Sequence, residues 1–346
     1  SLLLEPSRTN TFINSEYFAA WNSSNVSLTT NSITSPQGVV NASSLTDDAV
    51  NSRHRINVSD SFTSGTSYTV SVFVKKNSSN RFLLINASTA FNARAALNLD
   101  TLEITNINGT EGKIEDYGNG WYRFSVSGQA TNTTSQNIYI QMQNTASDSS
   151  YVGDGSSFYL WGAQLEQGSY PTSYIPTYGV SQTRAQDICN GAGDVNTFNS
   201  TEGVLYTEIS ALSNDGANRA ISIYKDSSLD NLINIQYNSV SQNIRYLYRQ
   251  GVSSIADLNF VVSDITSVHK IAGSWANNNF RLFVDGVKVG EQLSGNVAPA
   301  NTFITLGFNR PDGQLFEGKA KEVIVFKEAL SDLDLAILTG ATTYNT

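Results

Sequence analysis

A chain of 346 residues is too long for one β-sandwich of ordinary size and fits two domains. Only 15% of it is charged, so its polar surface must be built from Asn, Ser, Thr and Gln, and a formal charge of -9 leaves no basic stripe to neutralise phosphates, which excludes a nucleic-acid partner. No apolar run approaches the roughly 20 residues that cross a bilayer, which excludes membrane insertion by a helix, and the single Cys189 excludes an intramolecular disulfide or a cysteine-based zinc site.

Taken in chain order, residues 1 to about 185 alternate with period two. In SYTVSVFVKK, Tyr68, Val70, Val72 and Val74 share one face and Thr69, Ser71, Phe73 and Lys75 the other, the pattern of a half-buried strand. WYRFSVSG sets Tyr122, Phe124 and Val126 against Trp121, Arg123 and Ser125, and NIYIQMQ sets Ile138, Ile140 and Met142 against Tyr139, Gln141 and Gln143. Asn108-Gly109 and Asn119-Gly120 tolerate the positive φ that tight hairpins need. FYLWGAQLE reads as the last core strand, followed by an extended strap that Pro171 and Pro176 keep out of helix, with Tyr170, Tyr174, Ile175 and Tyr178 lying on a surface. The stretch 188–200 is rich in Gly and Asn, lacks periodicity and reads as a linker, with Cys189 as a solvent-facing or packed thiol.

A second series of strand-like runs follows, among them GVLYTEISAL, LINIQYN and HKIAGSW, with Asp285-Gly286 as the strongest hairpin signal. In YLYRQ, Tyr246 and Tyr248 share one face and Arg245 and Arg249 the other, so one pair is core and the other can meet a ligand. Ser331 can cap a short terminal helix whose first turn suits Asp332 and Asp334, and Gly340 can stop it. The expected fold is all-β: two tandem sandwiches, over 1–187 and 201–346, joined by 188–200, the second ending in a short helix.

The strings LLLEPSRTN, NSEYFAAW, GNGWYRFSV and WGAQLEQGSYPTSYIPT, with TRAQD after the last, together resemble a module found in tailed-bacteriophage and prophage tail or fibre proteins. That resemblance implies a jelly roll similar to carbohydrate-binding modules. NSEYFAAW is also similar to the opening segment of glucan- and xylan-binding jelly rolls, where an acidic residue helps to hold a structural calcium. Here Glu16 matches that residue, but Gly162 and Ala163 stand where the acidic pair of the last strand would lie, leaving Glu16 and backbone carbonyls to hold a calcium ion. HKIAGSW, FRLFVDGVKVG, ITLGFN and FEGKAKEVIVFKEALSD resemble the laminin-G and pentraxin-like branch of the concanavalin-type lectin sandwiches over about 203–340, with Lys321 where that family commonly has Asp.

Catalytic constellations fail on residue type. His54 and His269 are the only histidines, and neither a GxSxG elbow nor an E-x-D-x-x-E strand is present. EGKIED, 111–116, has suitable acids but reads as a polar turn. His269 with Asp264 just before it suggests an oriented base, against the plainer reading of a capped strand start. His54, between Arg53 and Arg55, reads as a solvated loop that an anion could meet. Sugar binding asks for less: a ring face for a pyranose, and amides or guanidinium groups for its hydroxyls. The candidates are Trp121 and Tyr139 pointing outward with Arg123 and Gln141, the strap residues Tyr170 and Tyr174, and Arg245 or Arg249; the competing reading has Trp121 and the strap tyrosines plugging and packing the sandwich. The expectation is a non-enzymatic adhesin on a virion surface or otherwise extracellular, requiring no cofactor. Its partners would be a polysaccharide or cell-surface glycan, other virion proteins and further copies of itself in a homo-oligomer. Two alternatives stay open: a structural virion module that binds neighbouring subunits and no sugar, and part of a polysaccharide hydrolase or lyase with two acids from distant loops.

Overall fold

The structure is a computed structural model that describes residues 1–78, 81–107, 110–148, 150–238 and 242–342. Contacts divide the chain into two units, one of Ser7–Ala185 and one of Ser1–Pro6 with Gln186–Thr346. Both are β-sandwiches, and the alternation of apolar residues explains their layers.

In the first unit, one sheet runs Ile104–Ile107, Ala93–Asn98, Phe82–Ala87, Thr134–Gln143, His54–Phe62 and Asn22–Ser24. The other runs Gly112–Asp116, Trp121–Gln129, Ser67–Lys76, Ser157–Gln167, Val40–Asp47 and Val26–Thr34. Val70, Val72, Val74, Phe124 and Val126 meet Leu83, Ile85, Ile138 and Ile140 between the sheets, and Phe12, Phe18 and Trp21 of the opening segment close the core edge to face. Asn119 and Gly120 both take positive φ in a tight turn into Trp121, as the dipeptide requires; Asn108-Gly109 lies outside the described residues.

Ser67–Lys76 is not half-buried as its alternation suggests: Thr69, Ser71 and Phe73 on its second face are buried too. The reason is the strap, which runs across that outer face and is held by buried polar groups. Arg123 donates to the Thr172 carbonyl at 2.6 Å, Asn10 donates to the Ile175 carbonyl at 2.8 Å, and the Ile175 and Thr172 amides donate to Gln164 and Glu166 at 2.6 and 3.0 Å. Gly162, at φ 60°, sits where the neighbouring strand Ser157–Gln167 is irregular, and a Cβ there would come within 2.9 Å of the Phe73 ring. A sandwich face meant for solvent in the simple alternation is thus a second, smaller core of Ala42, Phe73, Trp121 and Trp161.

In the second unit, one sheet runs Leu2–Leu4, Gly318–Phe326, Gly203–Ala211, His269–Ala276, Asn279–Val284 and Val287–Gln292, and the other Ser253–Val261, Asn243–Gln250, Leu232–Asn238, Arg219–Tyr224 and Thr305–Gly307. Leu2, Leu3 and Leu4 pair with Ala320, Lys319 and Gly318, so the LLL read as the start of the first domain is an edge strand of the second unit. The stretch read as a linker belongs there as well: Phe198 is buried in its core, Cys189 is half-buried against it, and Ala192 bridges Leu306. Asp285 and Gly286 both take positive φ in their hairpin. The closing helix, Asp332–Leu338, is capped by the Ser331 side chain accepting from the Asp334 amide, and it packs Leu335 and Ala336 on Val204, Tyr206, Ala272 and Phe283. Each unit therefore covers the outer face of one sheet, with a strap in the first and a helix in the second.

Candidate functional site

The residues proposed from sequence fall on opposite faces of the first sandwich. Trp121 and Arg123 lie on the strapped sheet, and Tyr139 and Gln141 on the other. Trp121 does not point into solvent: it is 2% exposed and donates to the Thr34 carbonyl. Arg123 is equally buried, bonded to Ser71 and Thr172 and lying 5.3 Å over the Phe73 ring. Tyr170 is buried, with Arg8 over its ring, and Tyr174 stacks at 4.5 Å on Trp161 while bonding Ser15 and Glu16. These four residues serve the strap, because alternation cannot reveal that a later segment will cover a face.

Glu16 accepts from Asn41 at 2.9 Å and from the Tyr174 and Tyr178 hydroxyls at 3.2 and 3.4 Å. Burial, followed by this carboxylate, pushes the Tyr174 phenol up, although its bond with Ser15 acts the other way. Among the described residues no group of three or more His, Cys, Asp or Glu is placed to hold a metal ion. Glu16 with backbone carbonyls is a poor calcium set, which ordinarily needs six to eight oxygens.

The acids and histidines singled out for catalysis are also placed. Gly112–Asp116 is an edge strand, not a turn, with Glu115 and Asp116 exposed on it and Glu111 exposed just before it. His269 is bonded by Asp285 at 2.7 Å and by the Asp264 carbonyl at 2.9 Å, so the orienting carboxylate is that of the hairpin turn rather than Asp264. His54 is fully buried in a strand between the carbonyls of Asn25 and Tyr151, not in a loop. With both ring nitrogens engaged, neither imidazole is free to take a substrate proton.

The five-stranded sheet of the second unit brings functional groups together. Tyr246 and Tyr248 are core, which leaves Arg245 and Arg249 on its outer face. Register places Gln236 beside Arg245 and Asn234 beside Ser222, all three amide and hydroxyl groups being buried. Ser222 donates to Asn234 at 3.0 Å, and Asn234 donates to Gln236. Asn309 and Leu315 bridge a hairpin from which Arg310 reaches the Gln236 oxygen at 3.4 Å. Arg310 and Gln236 were not proposed from sequence, since only register and a distant hairpin bring them beside Arg245. Burial lowers the Arg310 pKa; Asp312 opposes this, and Arg245 and Arg249 add to it. The Nε atoms of Arg249 and Arg310 are buried without a hydrogen-bond partner.

Arg245 forms two 2.7 Å bonds with Asp257. These bonds, against partial burial, hold the Asp257 carboxyl below its ordinary value. The folded pKa is depressed, so this stabilisation is fully present above the unfolded value of about 4 and is lost as pH falls through the folded one. We expect Asp257→Asn to lower stability by under about 1 kcal/mol at pH 7, because the pair is partly exposed. The difference from wild type in urea unfolding should close as the pH is taken well below 4; one that persisted there would mean the ion pair is not its cause.

Residues 196–336 match the family model described as the Concanavalin A-like lectin/glucanases superfamily, of the laminin G type. Among solved structures, a native heptameric SAP-like pentraxin from Limulus polyphemus is similar at 11% identity and a TM-score of 0.37, over 44% of this chain and 75% of that one. Domains LG4-5 of the mouse laminin alpha1 chain are similar at 10% identity and a TM-score of 0.30, over 86% of this chain and 92% of that one. No curated protein sequence matches the chain. Among the described residues no helix is long and apolar enough to cross a membrane. The second unit is thus a concanavalin-like β-sandwich that the laminin-G-type family model matches over 196–336.

Proposed function

We propose that the chain is a non-catalytic polysaccharide-binding module of a phage tail or fibre, an adhesin of the virion surface. One observation carries the binding role: Arg245 and Arg310 meet a buried Ser222–Asn234–Gln236 ladder on the outer face of a lectin-type sheet, with the charge of Arg249 felt at Arg310. Guanidinium forks are suited to vicinal hydroxyls and ring oxygens, and the buried amides beneath hold Arg310 through Gln236, so its fork loses less freedom on binding. The virion setting is supported by the resemblance of the opening, WYRFSV and strap segments to phage tail modules. A non-catalytic role is supported by the fully engaged histidines and by the exposure of the acids in Gly112–Asp116.

The test is retention of the full chain on immobilised bacterial-surface polysaccharides, with reducing ends assayed in parallel. Retention on at least one polymer without product release is expected, and Arg249→Ala with Arg310→Ala should weaken it roughly tenfold on the loss of charged hydrogen bonds. Failure to bind any polymer would overturn the binding role, and release of oligosaccharides would overturn the non-catalytic one. Antibody labelling of intact particles away from the tail would remove the virion setting.

A further inference from the structure

We infer that the first unit carries a separate binding face for an anionic polysaccharide, on the outer side of the sheet that the strap leaves uncovered. Register lines up Arg94, Asn86, Tyr139, Asn57 and Asn22 across five neighbouring strands; in the adjacent row Arg55 stands beside Gln141, which is not outward in solvent as its alternation suggests but buried with Leu84 and Ala96. With strands about 4.8 Å apart, this row is roughly 19 Å long, the reach of an extended ligand rather than of a small ion. The Arg55 guanidinium lies 4.4 Å over the Tyr139 ring, which holds its planar fork in place. Arg94 stands three strands away from Arg55, so the two charges are spaced along the face.

Charge distribution sets this face apart. The chain has 30 acidic and 21 basic residues, yet none of the side chains that register places on this face is Asp or Glu. Glu103 and Asp148 lie beyond the strand ends. Neither Arg55 nor Arg94 has an ion-pair partner among the described residues, and the Nε atom of each is buried without a hydrogen bond. Four other arginines are ion-paired: Arg81 with Asp47, Arg219 with Asp215, Arg245 with Asp257 and Arg281 with Asp332. Two unneutralised guanidinium groups separated by amides match a polymer that alternates hydroxyls with carboxylate or sulfate groups. This face is distinct from the lectin-type sheet, and its test is arranged so that the two can fail separately.

The experiment compares retention of the full chain on polygalacturonate, on its methyl ester, on dextran sulfate, on dextran and on duplex DNA, for wild type, for Arg55→Gln with Arg94→Gln, and for Arg249→Ala with Arg310→Ala. The expected result is retention on polygalacturonate or dextran sulfate, at least about tenfold weaker for the Arg55 and Arg94 pair. Retention should also fall as salt rises. Preference for polygalacturonate over dextran sulfate would assign carboxylate as the recognised group, and the reverse would assign sulfate. The inference is overturned if neither polygalacturonate nor dextran sulfate is retained better than its neutral counterpart, the methyl ester or dextran, if DNA is retained equally, or if the Arg55 and Arg94 variant, with an unchanged thermal transition, binds as wild type does. Loss confined to the Arg249 and Arg310 variant would also overturn it while leaving the proposed function standing.

Discussion

Asp47→Ala is expected to destabilise the first unit by about 3–5 kcal/mol, the range for removing one partner of a buried ion pair. The Asp47 side chain is fully buried and Arg81 is 9% exposed at 3.1 Å. The same carboxylate accepts from the Tyr151 hydroxyl at 2.9 Å and from the Asp154 and Gly155 amides at 3.1 and 2.8 Å. Its loss would remove the buried carboxylate from the Arg81 guanidinium, which lies over the Tyr151 ring with Asp154 and Asn144 among its other polar partners. Because two units unfold, urea denaturation should show the first unit's transition moving to lower denaturant while the other stays. A shift below about 1 kcal/mol would mean that water reaches the site and that it behaves as a surface pair.

Trp275→Ala should have a comparable effect on the second unit, about 3–5 kcal/mol from lost burial and the cavity left behind. Trp275 is fully buried, and its indole donates to the Asn199 carbonyl at 3.1 Å. A Cβ on Gly203 would sit 2.4 Å from its ring, so the neighbouring backbone is already at contact and little can move in to fill the space. Trp275→Phe should recover part of the loss, since a ring remains though the indole donor is gone. Equal values for the two variants would assign the effect to the Asn199 hydrogen bond instead of to packing.

Strand periodicity, the Asn-Gly and Asp-Gly turns and the terminal helix cap were readable because each is decided by neighbours within a few residues. The alternation of Tyr139 and Gln141 against Ile138, Ile140 and Met142 matches the sheet, as does the choice of Tyr246 and Tyr248 for the core. What alternation cannot hold is what lies above a face. Trp121 and Arg123 have the spacing of surface residues, and only the strap about fifty residues later makes them interior. Arg310 and Gln236 become neighbours, and Arg94 and Tyr139 fall in one row on either side of Asn86, through register and crossovers, which one sequence does not reveal. The two candidate faces therefore come from the fold, with Tyr139, Gln141, Arg245 and Arg249 as the members that sequence could supply.

The pairing of Leu2–Leu4 with Gly318–Phe326 makes the whole first sandwich an insertion within the second. During synthesis Leu2–Leu4 must wait, its backbone unpaired, until Gly318–Phe326 emerges, and the inserted unit has time to fold in between. Once folded, that unit replaces a long floppy loop by a compact one, which lessens the entropy lost in closing the ends. Excising the second sandwich as a contiguous C-terminal fragment would leave Gly318–Phe326 as a bare edge, open to strands from other chains.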